Sequence, residues 1–291
     1  MEGTVLVAGA TGVVGRAVVA RLQDRGARIR TFSRHAGRAD SLKRAGADVR
    51  TGDACDRSSL TGVADGVDVV FSCLGAPVTF GGERRSFKEV DTVANRNLLQ
   101  AAVAAKVRRF VYVAVHVEDG YRDTAYVQAH EIFADELRRS PLAHAVVRCT
   151  GLFPVFAQMV DMARRGLVAI PGDGRAETNP VHADDVADMC RRAIEGEIDD
   201  VSIGGPEVMT REQIARLAFA AVQKHPRVMH IPAGLMLGSA KFIQPFNPHA
   251  AELIEFATRV FTSRCVAPSH GHRGLAEYFA EVVRPQGRAA S

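Results

Sequence analysis

The feature that most constrains this chain lies at its start. Val5-Leu6-Val7-Ala8 is a short apolar run that stops at a glycine, and Gly9-Ala10-Thr11-Gly12-Val13-Val14-Gly15 follows it. A helical pattern then runs through Val14, Val18 and Leu22 and ends near Gly26. A turn that merely needs glycine would explain the triplet alone. A strand before it and a helix after it point instead to a dinucleotide-binding turn. Gly9 permits the tight turn, Gly12 lets a pyrophosphate approach the backbone, and Gly15 lets the helix pack on the strand. The helix N-terminus, with Thr11, Val13 and Val14, offers N–H groups and a positive dipole end to the phosphates.

The same alternation continues. Strand-like runs are Ile29–Phe32, Val49–Thr51, Val67–Phe71, Phe110–Val115 and His144–Val147, with helical patterns between them, one carrying Val90, Val93, Ala94, Leu98, Ala101 and Ala105. Continuous apolar strands separated by helices predict a parallel sheet covered on both faces, a doubly wound α/β (Rossmann) fold. After Gly151 the pattern changes. Phe153–Arg165 reads as helix, Leu167–Ile170 as a brief strand, Ala183–Ile194 as a helix with acids at its start, and Val201–Ile203 as a last strand. Thr210 and Gln213 fit a capping box. The remainder is mostly helical, with breaks at Pro226, Pro232, Pro245 and Pro248. The expected organisation is a Rossmann domain over 1–152, to which 176–204 returns, and a small, mostly helical C-terminal cap built from 153–175 and 205–291.

Composition narrows the function. A chain of 291 residues supports one or two domains and a sizeable core. The net charge, 37 − 33 = +4, is too mild for a nucleic-acid surface, and basic pairs such as Arg84-Arg85, Arg108-Arg109 and Arg164-Arg165 read as solvated faces or loops. Five cysteines, far apart and without C-x-x-C, argue against a disulfide framework or a zinc site; no metal is expected. No uncharged run approaches the ~18 residues that span a bilayer. The first residues lack a basic signal-peptide region, so a cytoplasmic location is expected.

The end of the second strand bears on which dinucleotide binds. An acid there would hold the ribose 2′-hydroxyl of NAD. The segment reads Thr31-Phe32-Ser33-Arg34-His35, with no acid. Arg34 can clamp a 2′-phosphate, Ser33 can add a hydrogen bond, and Arg38 is a possible second cation. This favours NADP(H).

The ordered motifs resemble those of the short-chain dehydrogenase/reductase superfamily, in its atypical, NmrA-like branch. The G-x-x-G-x-x-G spacing, Gly52-Asp53-Ala54-Cys55-Asp56 after the third strand, and Cys73-Leu74-Gly75-Ala76 after the fourth carry the resemblance. So do Asn97–Ala102, Arg109–Val113, Thr150-Gly151-Leu152-Phe153, the Asn179–Ala187 segment and Gly204–Glu207, so the likeness covers about the whole chain. It implies cofactor contacts from Asp53 and Ala54 beside the adenine. It adds Leu74, Gly75, Ala76 and Val113 under the cofactor, and Thr150, Gly151, Leu152 and Phe153 around the nicotinamide.

Departures from the family pattern concern the proton. The family's serine at the end of the fifth strand is absent from Val113-Ala114-Val115-His116, and its Tyr-x-x-x-Lys survives only as Tyr126-Val127-Gln128-Ala129-His130. Tyr126 and His130, four apart, share a helix face. A neutral histidine would activate Tyr126 less than a lysine, though it could still bond ribose hydroxyls; alternatively Tyr126 packs and His130 caps a surface turn. His116, just after the fifth strand, is a second candidate donor or a loop histidine bonded to backbone. His182 reads as structural; His249, His270 and His272 read as solvated. Lys241, Phe242, Phe246 and Phe261 could roof a pocket, but such a stripe more commonly forms core.

The expected function is reduction, with NADPH, of a carbonyl or conjugated double bond in a small organic molecule. The proton would come from Tyr126, His116, water or the substrate. A non-enzymatic NADP sensor and a sugar-nucleotide epimerase or dehydratase are the alternatives.

Overall fold

The apolar run Thr4–Ala8 becomes β1, an interior strand of a seven-stranded, all-parallel sheet in the computed structural model. The structure describes residues 3–34, 37, 40–76, 78 and 85–284. The other strands are β2 (Arg28–Ser33), β3 (Asp48–Thr51), β4 (Val69–Ser72), β5 (Arg109–Val115), β6 (Ala143–Cys149) and β9 (Val201–Ile203). Their order is β3-β2-β1-β4-β5-β6-β9. It reverses between β1 and β4, the place where doubly wound sheets open a ligand crevice.

Side-chain alternation along the strands feeds two cores. On one face Val5, Val7, Phe71, Val111 and Val147 meet α1 (Val13–Gln23) and α6 (Ala183–Glu195). On the other, Leu6, Val70, Phe110, Tyr112 and Val146 meet α3 (Val93–Ala104) and α4 (Ala125–Arg138). The short helix α2 (Asp40–Arg44) links β2 to β3. The helical pattern that began at Val90 starts differently from its expectation: Lys88–Thr92 is a π-helical turn, with Asp91 and Thr92 buried.

A third core forms the cap. It joins α5 (Phe153–Arg164), α7 (Arg211–Ala221) and α10 (Leu275–Val283) through Phe153, Phe156, Ile214, Phe219 and Phe279. The capping box of Thr210 and Gln213 is present at the start of α7. Two small sheets add β7 (Val168–Pro171) to β11 (Val228–Ile231), and β8 (Glu177–Thr178) to β10 (Met209–Thr210). The strand β11 lies where the sequence suggested only helix. It forms because β7 offers an open edge to Val228–Ile231. Last come α8 (Ala233–Ile243) and α9 (Pro248–Thr262). Pro248 is at the first turn of α9, so it starts that helix where a break was expected; a missing N–H costs nothing there.

Beyond β7 the chain again contacts the first elements. Leu152 bridges Val181, α6 lies on α1, and β9 pairs with β6. Several family-like motifs prove to be fastenings. Asn179 bonds the backbone of Ala267 in both directions, and Asp185 accepts His272 N–H, Arg273 N–H and the Arg273 guanidinium. His182 caps α6 and stacks on Phe153 and Tyr278, the structural part expected of it.

Other expectations are corrected. His249 is buried, its ring 4.8 Å from Phe87, because α9 folds back over α4. Phe242 and Phe246 are neither core nor roof: they are 77% and 79% exposed on and just after α8. Arg109 is buried, bonded to the Ile198 carbonyl and Asp199, where a solvated pair was expected.

Candidate active site

A cleft of about 290 Å³ opens at the carboxyl ends of β1, β2, β3 and β4. Its wall is the turn after β1, which three glycines shape in different ways. Gly9 has φ +88°, which side-chain-bearing residues rarely adopt. A Cβ on Gly15 would stand 2.2 Å from the Gly9 carbonyl oxygen, so α1 could not rest on β1. A Cβ on Gly12 would meet only that same carbonyl, at 3.2 Å. A side chain at Gly12 would press on that carbonyl and on nothing else within 4 Å, so the chain's own packing constrains Gly12 less than Gly15. The space it leaves faces the cleft, where it caps α1 with no side-chain bond and no acid in the first turn. A bare helix N-terminus of this kind fits a phosphate.

Thr11, Gly12, Phe32, Ser33, Arg34, Asp53, Ala54, Leu74 and Gly75 line the cleft, together with Arg85, Cys55, Val90 and Ala94. Asp53 accepts Cys55 N–H and pairs with Arg85 at 3.2 Å. Burial would raise its pKa, but that bond and the charges of Arg85 and Arg34 hold it below the usual carboxylate range. Arg85 is thus a cleft residue, not a solvated one. The sequence signal for it was weak, since it is one of two adjacent arginines in a loop. A wider groove of about 700 Å³ crosses the starts of β1, β2 and β3, but Arg30 there is matched by Asp48 and backbone carbonyls. It lies at the wrong end of the strands for ligand chemistry in such a sheet.

Behind the cleft floor the structure places a buried polar chain. Asp91 Oδ2 accepts Ala76 N–H at 3.0 Å. Asp91 Oδ1 and His130 Nε2 face each other at 3.5 Å, with no other partner among the described residues. His130 Nδ1 lies 2.5 Å from the Tyr112 hydroxyl. Burial is the main influence on Asp91 and, with Glu252 nearby, pushes its pKa up to about 8. Burial and then Arg148 push His130 down to about 3. Tyr126 sits edge-on to His130, ring centroids 4.7 Å apart, between Phe87 and Phe256. Burial, then Asp91, raises its pKa above the usual phenol range.

A family model described as NAD(P)H-binding matches residues 9–197. The chain belongs to this NAD(P)H-binding family. That agrees with the atypical, NmrA-like resemblance of the motifs. Across 96% of its length the chain is 26% identical to the divinyl chlorophyllide a 8-vinyl-reductase of Arabidopsis thaliana, covering 76% of that protein. An NADPH-dependent quinone oxidoreductase from Escherichia coli, solved with NADPH, superposes with a TM-score of 0.76 at 18% identity, over 96% of this chain and 99% of that one. A nucleoside-diphosphate-sugar epimerase from Staphylococcus aureus superposes with a TM-score of 0.71 at 15% identity, over 96% and 95%. The last two show the fold alone, shared between different reactions.

Within this NAD(P)H-binding chain, the residues singled out by sequence fall into three groups. Gly9, Thr11, Gly12, Arg34, Asp53, Ala54, Leu74 and Gly75 meet at the cleft. Val13 opens α1, Val14 and Gly15 are buried beneath it, Ser33 ends β2 beside Arg34, and Ala76 is buried at the floor; Arg38 lies outside the described residues. Val113, Thr150, Gly151, Leu152 and Phe153 are not among the residues lining the cleft: Thr150 donates its hydroxyl to the Asn179 carbonyl, and Phe153 packs on His182 and Tyr278. His130 needs correction. It is neither a ribose ligand nor a surface cap, because both ring nitrogens face inward, to Tyr112 and Asp91. His116 stands apart, next to Ser202 and Glu118, its pKa lowered by burial. Asp91 was missed. An acid between Val90 and Val93 on an apolar helical stripe was the available signal.

The Asp91–His130 pair gives a pH prediction. Folded, the pair holds one proton up to about pH 8, because burial raises Asp91 and lowers His130. Unfolded, the same two groups titrate near ~3.9 and ~6.5, so they also hold one proton between those values and none above. Stability should therefore be insensitive to this pair between about pH 4 and 6.5. It should fall as pH rises from about 6.5 to 8, by at most ~1.4 kcal/mol per unit. Urea unfolding of the wild type and Asp91→Asn at pH 6.5, 7.2 and 8 checks this: only the wild type should show the fall.

Proposed function

We propose that this protein is an NADPH-dependent reductase acting on a carbonyl or a conjugated double bond of a small organic molecule. The observation that carries the reading is Gly12, which opens onto the cleft at the bare N-terminus of α1, where a pyrophosphate would approach the backbone. The vinyl-reductase relative, matched along nearly the whole chain, supports reduction. The Gly9–Gly15 turn with Thr11, Val13 and Val14 holds the pyrophosphate. Ser33 and Arg34 hold the 2′-phosphate, and Asp53 and Ala54 border the adenine. Leu74, Gly75 and Ala76 form the floor, and Val113 with Thr150–Phe153 closes the far side. When bound, the nicotinamide supplies hydride.

The chain's own residues do little for the proton. Tyr126 has a raised pKa and no lysine beside it, so it remains a neutral phenol that orients the substrate by hydrogen bonding. His130 is committed to Tyr112 and Asp91. The proton comes from water or from the substrate itself. The same loss favours a second reading, a regulator that binds the dinucleotide without turnover. NADPH oxidation against a panel of ketones, quinones and enones separates the two.

Three substitutions test this reading. Gly12→Val should lower NADPH affinity by well over tenfold while the protein still folds, since the one close neighbour of the new Cβ is the Gly9 carbonyl at 3.2 Å. Arg34→Ala should weaken NADPH by about ten- to a hundredfold and hardly change NADH, the difference of a charge-assisted bond worth ~1.5–3 kcal/mol. Tyr126→Phe should cost only a few-fold in kcat. A fall of ~10³ with NADPH affinity unchanged would restore the ordinary tyrosine mechanism, with His116→Ala as the control.

A further inference from the structure

The cleft floor is held from below by buried polar side chains. Leu74, Gly75 and Ala76 leave β4 and pass beneath the cleft. Asp91 Oδ2 accepts Ala76 N–H, and its main-chain carbonyl accepts Asn95 Nδ2 at 2.6 Å. Asn95 Nδ2 also reaches the Leu74 carbonyl, and Ser72 Oγ lies 2.5 Å from Asn95 Oδ1. A Cβ on Gly75 would stand 2.7 Å from Asp91 Oδ1, so the floor lies directly on the carboxyl group. Asp91 itself is wholly buried.

We propose that Asp91 positions the floor of the dinucleotide cleft, and that it does so as a carboxylic acid donating its proton to His130. The proposal rests on the dinucleotide reading of the cleft.

Two proton arrangements are open to these atoms, with Oδ1 and Nε2 3.5 Å apart and the only partners they face among the described residues being each other. In one, Asp91 is a carboxylate accepting His130 Nε2–H, while the Tyr112 hydroxyl donates to Nδ1. In the other, Asp91 carries the proton and donates to Nε2, Nδ1–H donates to the Tyr112 oxygen, and the Tyr112 hydroxyl proton has no acceptor among the described residues. The second leaves no charge in a buried site, where an unpaired one is costly. The groups facing the pair agree. Glu252 on α9 opposes a negative Asp91, and Arg148 on β6 opposes a positive His130. Tyr112 on β5 and Tyr126 on α4 are neutral, each with its pKa raised by burial. Glu131 on α4 is matched by Arg148, and Glu89 by Ser86; His249 on α9 stacks on Phe87. A neutral Asp91 also suits its place, since a carboxylate just under the floor would repel phosphates above it.

Asparagine copies the acid form: its carbonyl accepts Ala76 N–H and its amide donates to His130. The test measures NADPH dissociation constants for the wild type, Asp91→Ala and Asp91→Asn from pH 6.5 to 9, with ¹⁵N spectra of His130 taken without cofactor. Asp91→Ala should raise the constant at least tenfold, and Asp91→Asn should restore most of that loss. The wild-type constant should climb by about three- to tenfold above pH 8 as the carboxylate forms, whereas the asparagine variant should stay level. In both, His130 should carry its proton on Nδ1 at pH 7. Unaltered affinity in Asp91→Ala, or a wild-type proton on Nε2 at pH 7, overturns the proposal. If Asp91→Ala does not fold, the asparagine variant's pH profile and the histidine spectra decide. A wild type that binds neither NADPH nor NADH overturns the cofactor reading instead, and the spectra still locate the proton.

Discussion

The contact on which the rest of the site depends is the seat of α1 on β1. At Gly15 the helix backbone comes so near the Gly9 carbonyl that no Cβ fits between them. Gly9 in turn presses on Cys73, where an added Cβ would lie 2.8 Å from both its carbonyl oxygen and its sulfur. The turn after β1, the helix and the end of β4 are thus fixed against one another. That fixes where the α1 N–H groups point and how deep the floor lies, before any ligand is present. Binding energy is then not spent on ordering the loop.

The two faces of the sheet serve this arrangement differently. Beneath α1 and α6 the core is hydrocarbon and thiol, with Val18, Leu22, Val186, Cys190 and Ile194 sealing the sheet. Under α3 and α4 the apolar core is interrupted close to the strand ends by Ser72, Asn95, Asp91, His130 and Tyr112. Buried polar groups cost stability unless they are paired, and these are chained together. Hydrocarbon could fill the same volume but could not hold the N–H and carbonyl groups of an irregular floor. The polar residues stand where the backbone leaves regular pairing and needs partners.

Legibility from sequence followed the same division. Strands β1 to β6, β9 and the helices between them were readable because apolar runs and helical spacing report burial directly, and the glycine turn because each glycine answers a steric demand. The short strands β8, β10 and β11 were not; Val228–Ile231 of β11 is held by an edge that β7 provides from sixty residues away. Of the cleft, Gly9, Gly12, Arg34 and Asp53 were legible as motif residues. Arg85 and Asp91 were not, because one depends on a partner across the cleft and the other on a carboxyl buried from three sides. His130 was placed on the correct helix face, but the face turned out to look inward. A spacing of four puts Tyr126 and His130 together and says nothing about which way each ring is committed.

That inward turn bears on the kind of substrate the proposed reductase can take. In the ordinary family arrangement a cation lowers the tyrosine pKa and the phenol protonates an alkoxide as it forms. Here the residue in the cation's place is a neutral ring bonded elsewhere, and the phenol lies among Phe87, His130 and Phe256. An isolated ketone would develop its negative charge on one oxygen inside this apolar box, with only a neutral hydrogen bond to stabilise it. A conjugated acceptor spreads the charge and carries it to an atom several bonds away, where water can deliver the proton. General acid help of ~10²–10⁴-fold is then dispensable for the second class and not for the first. On the proposed reading, the chemistry left by these side chains suits enones, quinones and conjugated vinyl groups better than simple ketones.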